Sequence, residues 1–306
     1  MSDPTAVAAV EFVPADGDKP RGLFGDAWRE LRSRPLFWIS ISLIMLVVLM
    51  AAFPQLFSSG DPALAQLSKS RQAPSAEAWF GYDNQGYDIY SRVIYGARAS
   101  IIVGLLATAG VVLFGGLLGI LAGFYGGWLD AVLSRVSDIF VGIPFVLGAI
   151  VILTTLNAGG QTTPVRVVAQ VVLSIAVLSW PVAMRIMRSA AISAKQQDYV
   201  KAARALGASP RRLITKHLLP NCLAPVLVYS TIALGAFIGA EATLSYLGIG
   251  LRPPVVSWGV MINGAKDYIR VAPHALLFPA GFLTLTVLAF VMLGDAIREA
   301  LDPKLR

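Results

Sequence analysis

Six apolar runs, each long enough to cross a lipid bilayer, decide what this chain can become. They cover Phe37 to Phe57, Ala99 to Tyr125, Asp138 to Leu156, Arg166 to Met187, Cys222 to Leu247 and Ala275 to Ile297. A membrane helix needs roughly 20 predominantly apolar residues, whereas a surface helix of a soluble protein interrupts its apolar stripe with charge. Only 14% of the 306 residues are charged and 56% are hydrophobic, with a mean hydropathy of +0.67. A soluble domain carries about 25% charged residues, so the deficit agrees with the runs. The expected fold is all-α: a polytopic membrane protein of six transmembrane helices, with no room for a large soluble domain. Pro54, Pro144, Pro181, Pro225 and Pro279 fall within or at the ends of the runs. Membrane helices tolerate such breaks where neighbours re-satisfy the freed backbone groups.

Several functions fall away. One cysteine, Cys222, allows neither an internal disulfide nor a cysteine-based zinc site, and His217 and His274 stand too far apart in sequence to make a metal site alone. No G-x-x-x-x-G-K-[ST] run occurs, so the chain has no P-loop of its own. The spans hold no nucleophile, acid–base pair or ligand cluster of the kind an intramembrane enzyme needs. The net charge of +7 lies where a bilayer would call for it, not in a nucleic-acid patch.

Lys and Arg gather in cytoplasmic loops of membrane proteins. With the N-terminus inside, the inner segments hold 17 of the 25 and the outer segments 8, so both termini are expected in the cytoplasm. Residues 1–20 read as a disordered tail and 21–36 as an amphipathic interfacial helix, with Trp28 and Leu31 opposite Arg29 and Arg32. The first transmembrane helix, 37–57, reads as an uncleaved signal anchor. An extracytoplasmic loop over 58–98, a five-helix core over 99–297 and a cytoplasmic C-terminus over 298–306 complete the expected organisation. The core includes a basic loop over 185–220.

That loop carries the most information. Asp198 is expected to cap a helix through Lys201, Ala202, Ala203, Arg204 and Leu206 that ends at Gly207. Ser209 then caps a second helix starting at Pro210 and stopping at Pro220. Two short helices meeting at a glycine make a compact protrusion suited to a groove on another protein. A merely solvated basic loop needs no such paired caps.

The run Lys201-Ala202-Ala203-Arg204-Ala205-Leu206-Gly207, then nine residues, then His217-Leu218-Leu219-Pro220-Asn221, resembles the EAA loop of ABC-importer permeases. Ala202, Ala203, Gly207, Leu219 and Pro220 match its E-A-A-x3-G-x9-I-x-L-P pattern; Lys201 stands where the family has Glu, and His217 where it has Ile. Gly81 to Asp88 with Ser91 to Arg98, Glu241 to Gly248 with Pro254 and Ser257-Trp258-Gly259, and Leu293-Gly294-Asp295 through Lys304 are similar to segments of the dipeptide/oligopeptide/nickel branch, C-type subunit.

The resemblance implies the MetI-like fold of type I importer permeases and an inner-membrane location. It further implies a pore-forming subunit that carries peptides, or alternatively nickel chelates or another small solute. The chain would have no cofactor of its own; ATP and Mg would sit on two partner ATPase domains gripping the loop. A second homologous permease and an extracytoplasmic binding protein would complete the assembly. The competing class, a secondary transporter, calls for intramembrane acids or an inverted repeat, and only Glu241 is available.

Weaker signals remain. Gly115, Gly119, Gly123 and Gly127 repeat every four residues, a ladder expected to pack helices within this subunit. Glu241 sits near the outer end of span five. It reads either as a pathway or gate residue or as a structural carboxylate that caps the next turn or pairs with Arg252. The sloping cost of charge near the interface favours the second. Arg135 and Asp138, with Asp130 nearby, read as a local ion pair. Asp83, Asp88 and Arg92 on the outer loop either meet the binding protein or order the loop.

Overall fold

The computed structural model describes residues 23–157 and 163–301, so the expected tail and residues 302–306 lie outside it. The described residues are nearly all helical. Helix α1 (Leu23–Ser33) precedes α2 (Pro35–Ala52), and α3 (Ile89–Tyr125) runs for 37 residues. Next come α4 (Gly127–Gly142), α5 (Phe145–Asn157) and the 32-residue α6 (Pro164–Lys195). The short helices α7 (Asp198–Ala205) and α8 (Pro210–Arg212) lead through a π-helical stretch, Leu213–Leu218, into α9 (Leu219–Tyr246). Finally α10 (Trp258–Ala265) precedes α11 (His274–Leu301). Five helices are long and apolar enough to cross a membrane, and α4 with α5 forms a sixth, bent, candidate.

The boundaries depart from the hydropathy reading for physical reasons. The first span ends at Ala52 rather than Phe57, because Pro54 starts a separate 3-10 turn. The second begins at Ile89, ten residues before Ala99, which also shortens the expected 58–98 loop. Asp88 caps it there by accepting hydrogen bonds from the backbone N–H groups of Tyr90 and Ser91, and the polar first turns hide from a hydropathy window. The third span is not one rod. Its halves α4 and α5 meet at 92° around Ile143 and Pro144. The 13 residues of α5 span only about 20 Å, less than the roughly 30 Å of hydrocarbon.

Helices α3 and α6 form the central seam, and they touch backbone to backbone. A Cβ placed on Gly115 would come within 2.5 Å of the Trp180 carbonyl oxygen, and on Gly119 within 2.3 Å of that of Met184. One on Gly123 would meet the Arg188 carbonyl oxygen at 2.8 Å. Only glycine allows such approach. Gly127 lies off the ladder: α3 ends at Tyr125, Gly127 opens α4 with φ +58°, and nothing stands within 4 Å of its would-be Cβ.

Around this seam one apolar cluster joins α2, the start of α3, α10 and α11, and a second joins the middle of α3 to α5, α6 and α9. Helix α1 docks on the end of α11, where Arg34 bridges Glu30 at 2.9 Å and also pairs with Glu299.

Candidate functional site

The protrusion between α6 and α9 is built on a buried apolar base. Val200 of α7, Leu213 and Leu218 of the π stretch and Cys222 and Val226 of α9 pack on Ile120 and Phe124 of α3 and on Met187 and Ala191 of α6. Lys195 donates to the Phe124 carbonyl oxygen at 2.5 Å, tying the end of α6 to the end of α3. Because α6 stays helical to Lys195, the protrusion is narrower than the 185–220 loop read from sequence.

The turn at its tip is a Schellman motif. The Gly207 N–H donates to the Arg204 carbonyl and the Ala208 N–H to the Ala203 carbonyl, both at 3.0 Å, with Gly207 at φ +80°. Ser209 follows as a helix cap, accepting from the Arg212 N–H at 3.4 Å, with Pro210 in the first turn. Two expectations need correction. Asp198 is not the cap of α7: Gln197 holds that position, and the Asp198 carboxylate takes Lys201 Nζ at 3.0 Å instead. The second helix does not stop at Pro220. The i→i+5 winding of Leu213–Leu218 loosens the turn just where the proline ring would crowd the preceding carbonyl, so the chain stays helical from Pro210 to Tyr246.

Exposure along the protrusion is uneven. Lys201, Ala202, Arg204, Gly207, Leu219 and Pro220 are exposed, Ala203 and His217 half-buried. Leu206 is 89% exposed, an apolar side chain at the very tip with nothing of its own chain over it. Partial burial raises the Tyr199 phenol pKa above its ordinary value, with Cys222 beneath it adding to the effect.

At the other end, Glu241 is fully buried. It accepts hydrogen bonds from Ser100 of α3 (2.9 Å), Ser245 of α9 (2.7 Å) and Ser257 (2.9 Å), rather than an ion pair from Arg252. Two of these hydroxyls also accept backbone N–H groups: Ser245 from Leu251, and Ser257 from Val260 as the cap of α10. The carboxylate therefore fixes, through serines, both the turn after α9 and the start of α10. Beside it the Trp258 indole donates to the Val93 carbonyl at 3.0 Å.

On the outer loop Asp83 accepts from Arg92 at 3.3 Å and from the Gln85 and Tyr87 N–H groups, while Asp88 caps α3. Near the protrusion Asp130 pairs with Arg188 of α6, and Asp138 accepts from Arg185 at 2.8 Å with Arg135 farther off at 3.8 Å. The expected local pair thus reaches across to α6. Among the described residues no group of three or more His, Cys, Asp and Glu side chains could hold a metal.

A family model described as "Binding-protein-dependent transport system inner membrane component" matches residues 115–306. The chain belongs to this family. A second model, the "N-terminal TM domain of oligopeptide transport permease C", matches residues 22–74 of the permease. It is 38% identical to the dipeptide transport system permease protein DppC of Alkalihalophilus pseudofirmus, over 92% of this chain and 90% of that one. With the oligopeptide permease OppC of Bacillus subtilis it shares 36% identity over 94% and 92% of the two chains. With the glutathione permease GsiD of Escherichia coli O6:H1 it shares 35% over 98% and 97%.

Among solved structures it resembles an inward-facing form of the MetNI methionine ABC transporter, at 20% identity and a TM-score of 0.55, over 69% of this chain and 96% of that one. The permease thus has the MetI-like helical fold and is a multi-pass inner-membrane component of an ABC importer. Sequence reading missed the residues that seat its protrusion. Their spacing was nevertheless visible: Leu213 and Leu218 lie five apart and then Cys222 and Val226 four apart, the mark of one π-wide step on a single helix face.

Proposed function

We propose that this chain is the C-type, pore-forming permease of an ABC importer that moves di- and oligopeptides across the cytoplasmic membrane. The observation that carries the reading is the rigid protrusion at the head of α9. A tip locked by a Schellman turn, seated on buried Val200 and Leu218 and helically continuous into a membrane span, transmits a push without bending. The chain's part is mechanical and it carries out no ATP hydrolysis. Two partner ATPase domains, with their ATP and Mg, receive Lys201, Ala202, Ala203, Arg204, Gly207 and the exposed Leu206 in their clefts, while His217, Leu219 and Pro220 form the root of the lever. A second, homologous permease completes the pathway, and an extracytoplasmic binding protein delivers cargo.

The distribution of 17 inner and 8 outer Lys and Arg residues supports cytoplasmic termini and a cytoplasmic protrusion. Peptide as cargo is supported by the names of the three relatives, which differ in peptide size.

Gentle detergent purification of the tagged chain from its native cell, with mass spectrometry of what accompanies it, tests the reading. Recovery of a second permease with two P-loop domains, together with loss of labelled-dipeptide uptake on deletion, is expected. A chain recovered alone, as monomer or homo-oligomer, would refute it.

A further inference from the structure

Where α1 meets α2 the charges are sorted by side. Glu30 of α1 and Glu299 of α11 both go to Arg34. Asp26, one turn before Glu30, shares its side of the helix. Arg29 and Arg32 stand about 100° and 160° round the helix from Glu30. Both are exposed, and neither pairs with an acid among the described residues.

Two tryptophans join the arginines. Trp28 falls about 40° round α1 from Arg32 and is 53% exposed. Trp38, in the first turn of α2, is equally exposed, and its indole N–H donates to the Arg32 carbonyl at 3.0 Å. Buried Phe37 meets both rings edge-on, at 5.9 and 5.4 Å, which fixes them in one patch. Beyond Trp38 the outer side of α2 is an exposed apolar stripe of Ile39, Met45, Leu46 and Leu49. Its other side, with Ile44, Val47, Met50 and Ala51, is buried in the cluster shared with α3 and α11.

We propose that this junction is a headgroup site for an anionic phospholipid of the inner leaflet. The lipid phosphate takes Arg29 and Arg32, Trp28 and Trp38 lie at headgroup level, and the acyl chains run along the α2 stripe. The proposal rests on the cytoplasmic N-terminus argued above. The order of the patch selects the occupant. Arginine, tryptophan and then a stripe without a charge from Pro35 to Ala52 follow one another along a single face. A phospholipid satisfies all three together, whereas a soluble ATPase domain reaches only the arginines.

The test uses the transporter purified through a tag on this chain and reconstituted in phosphatidylcholine nanodiscs. A fluorophore on Ser33→Cys reports lipid beside the patch, and the chain's own Cys222 is buried. Nitroxide-labelled phosphatidylglycerol should quench it at a mole fraction at least tenfold below that needed with nitroxide-labelled phosphatidylcholine. An arginine near an anionic surface contributes about fivefold, so Arg29→Gln with Arg32→Gln should remove most of that preference. Arg135→Gln, an exposed cation on α4, should leave it intact.

Equal quenching by the two lipids in the wild type overturns the proposal, as does a preference that survives the double substitution. Equal loss with Arg135→Gln overturns it too, since overall charge rather than a site would then attract the lipid. Quenching by neither lipid would mean that a protein, such as the second permease, covers the face. Should the double variant fail to assemble, a full preference in both single variants is decisive against the site. Failure of the topology has its own signature: labelling of Ser33→Cys in intact cells by a membrane-impermeant maleimide.

Discussion

Replacing Gly119 by Ala tests the central seam, and the neighbouring Gly116 supplies the control. A Cβ on Gly119 would lie 2.3 Å from the Met184 carbonyl oxygen and 2.9 Å from the Met187 Cβ, against an ordinary contact of 3.4 Å or more. Backbone must therefore retreat by about 1 Å, and α6 is held on either side by the same kind of contact at Gly115 and Gly123. Overpacking of a tight core costs about 1–3 kcal/mol. On Gly116 the nearest neighbour would be the Met187 Cε at 3.5 Å, an ordinary contact with the end of a flexible side chain.

Both substitutions gain the same helix propensity, up to about 1 kcal/mol, so the difference between them isolates the steric cost. Reversible unfolding in mixed detergent micelles should place Gly119→Ala below Gly116→Ala by about 1–3 kcal/mol. Equal stabilities, or the opposite order, would refute a backbone-to-backbone seam.

Removing the buried carboxylate in Glu241→Ala should destabilise by about 3–5 kcal/mol, because three serine hydroxyls lose their acceptor, whereas Glu241→Gln should cost less; unfolding midpoints decide between them. Gly207→Pro should abolish peptide uptake while leaving the protein inserted. Proline cannot take φ +80° and has no N–H for the Arg204 carbonyl, and normal uptake would sink the lever reading. Asp130→Asn breaks the half-exposed pair that ties α4 to α6; it should cost about 1 kcal/mol and reduce the salt dependence of unfolding, measured at low and high ionic strength.

The helical, membrane-spanning character was legible because runs of apolar residues leave few alternatives in lipid. The tip of the protrusion was legible too, since Gly207, Ser209 and Pro210 act through local backbone geometry that sequence states directly. What escaped depended on neighbours. Pro220 reads as a stop, and only the π winding before it, favoured by Leu213 and Leu218 reaching the same buried base, keeps the helix going. Pro144 looks like other tolerated prolines, but it sits behind an amphipathic segment with acids aimed at Arg185 and Arg188 on another helix, and there the span turns through 92°. Glu241 looked interfacial by its position along the chain. Its burial comes from Ser100, 141 residues away, and from Ser257 across the turn.

The glycine seam also constrains how the molecule can move. Carbonyls of Trp180, Met184 and Arg188 seat in notches at Gly115, Gly119 and Gly123, like teeth of a rack set every four residues. Gradual sliding of α6 along α3 would drive each tooth into a side chain before it reached the next notch, so the smallest permitted slip is a whole step of about 6 Å. Thermal creep along that axis is therefore arrested, and the pair behaves as a single strut. Any alternation between two shapes has to take place at joints elsewhere, such as the elbow at Pro144.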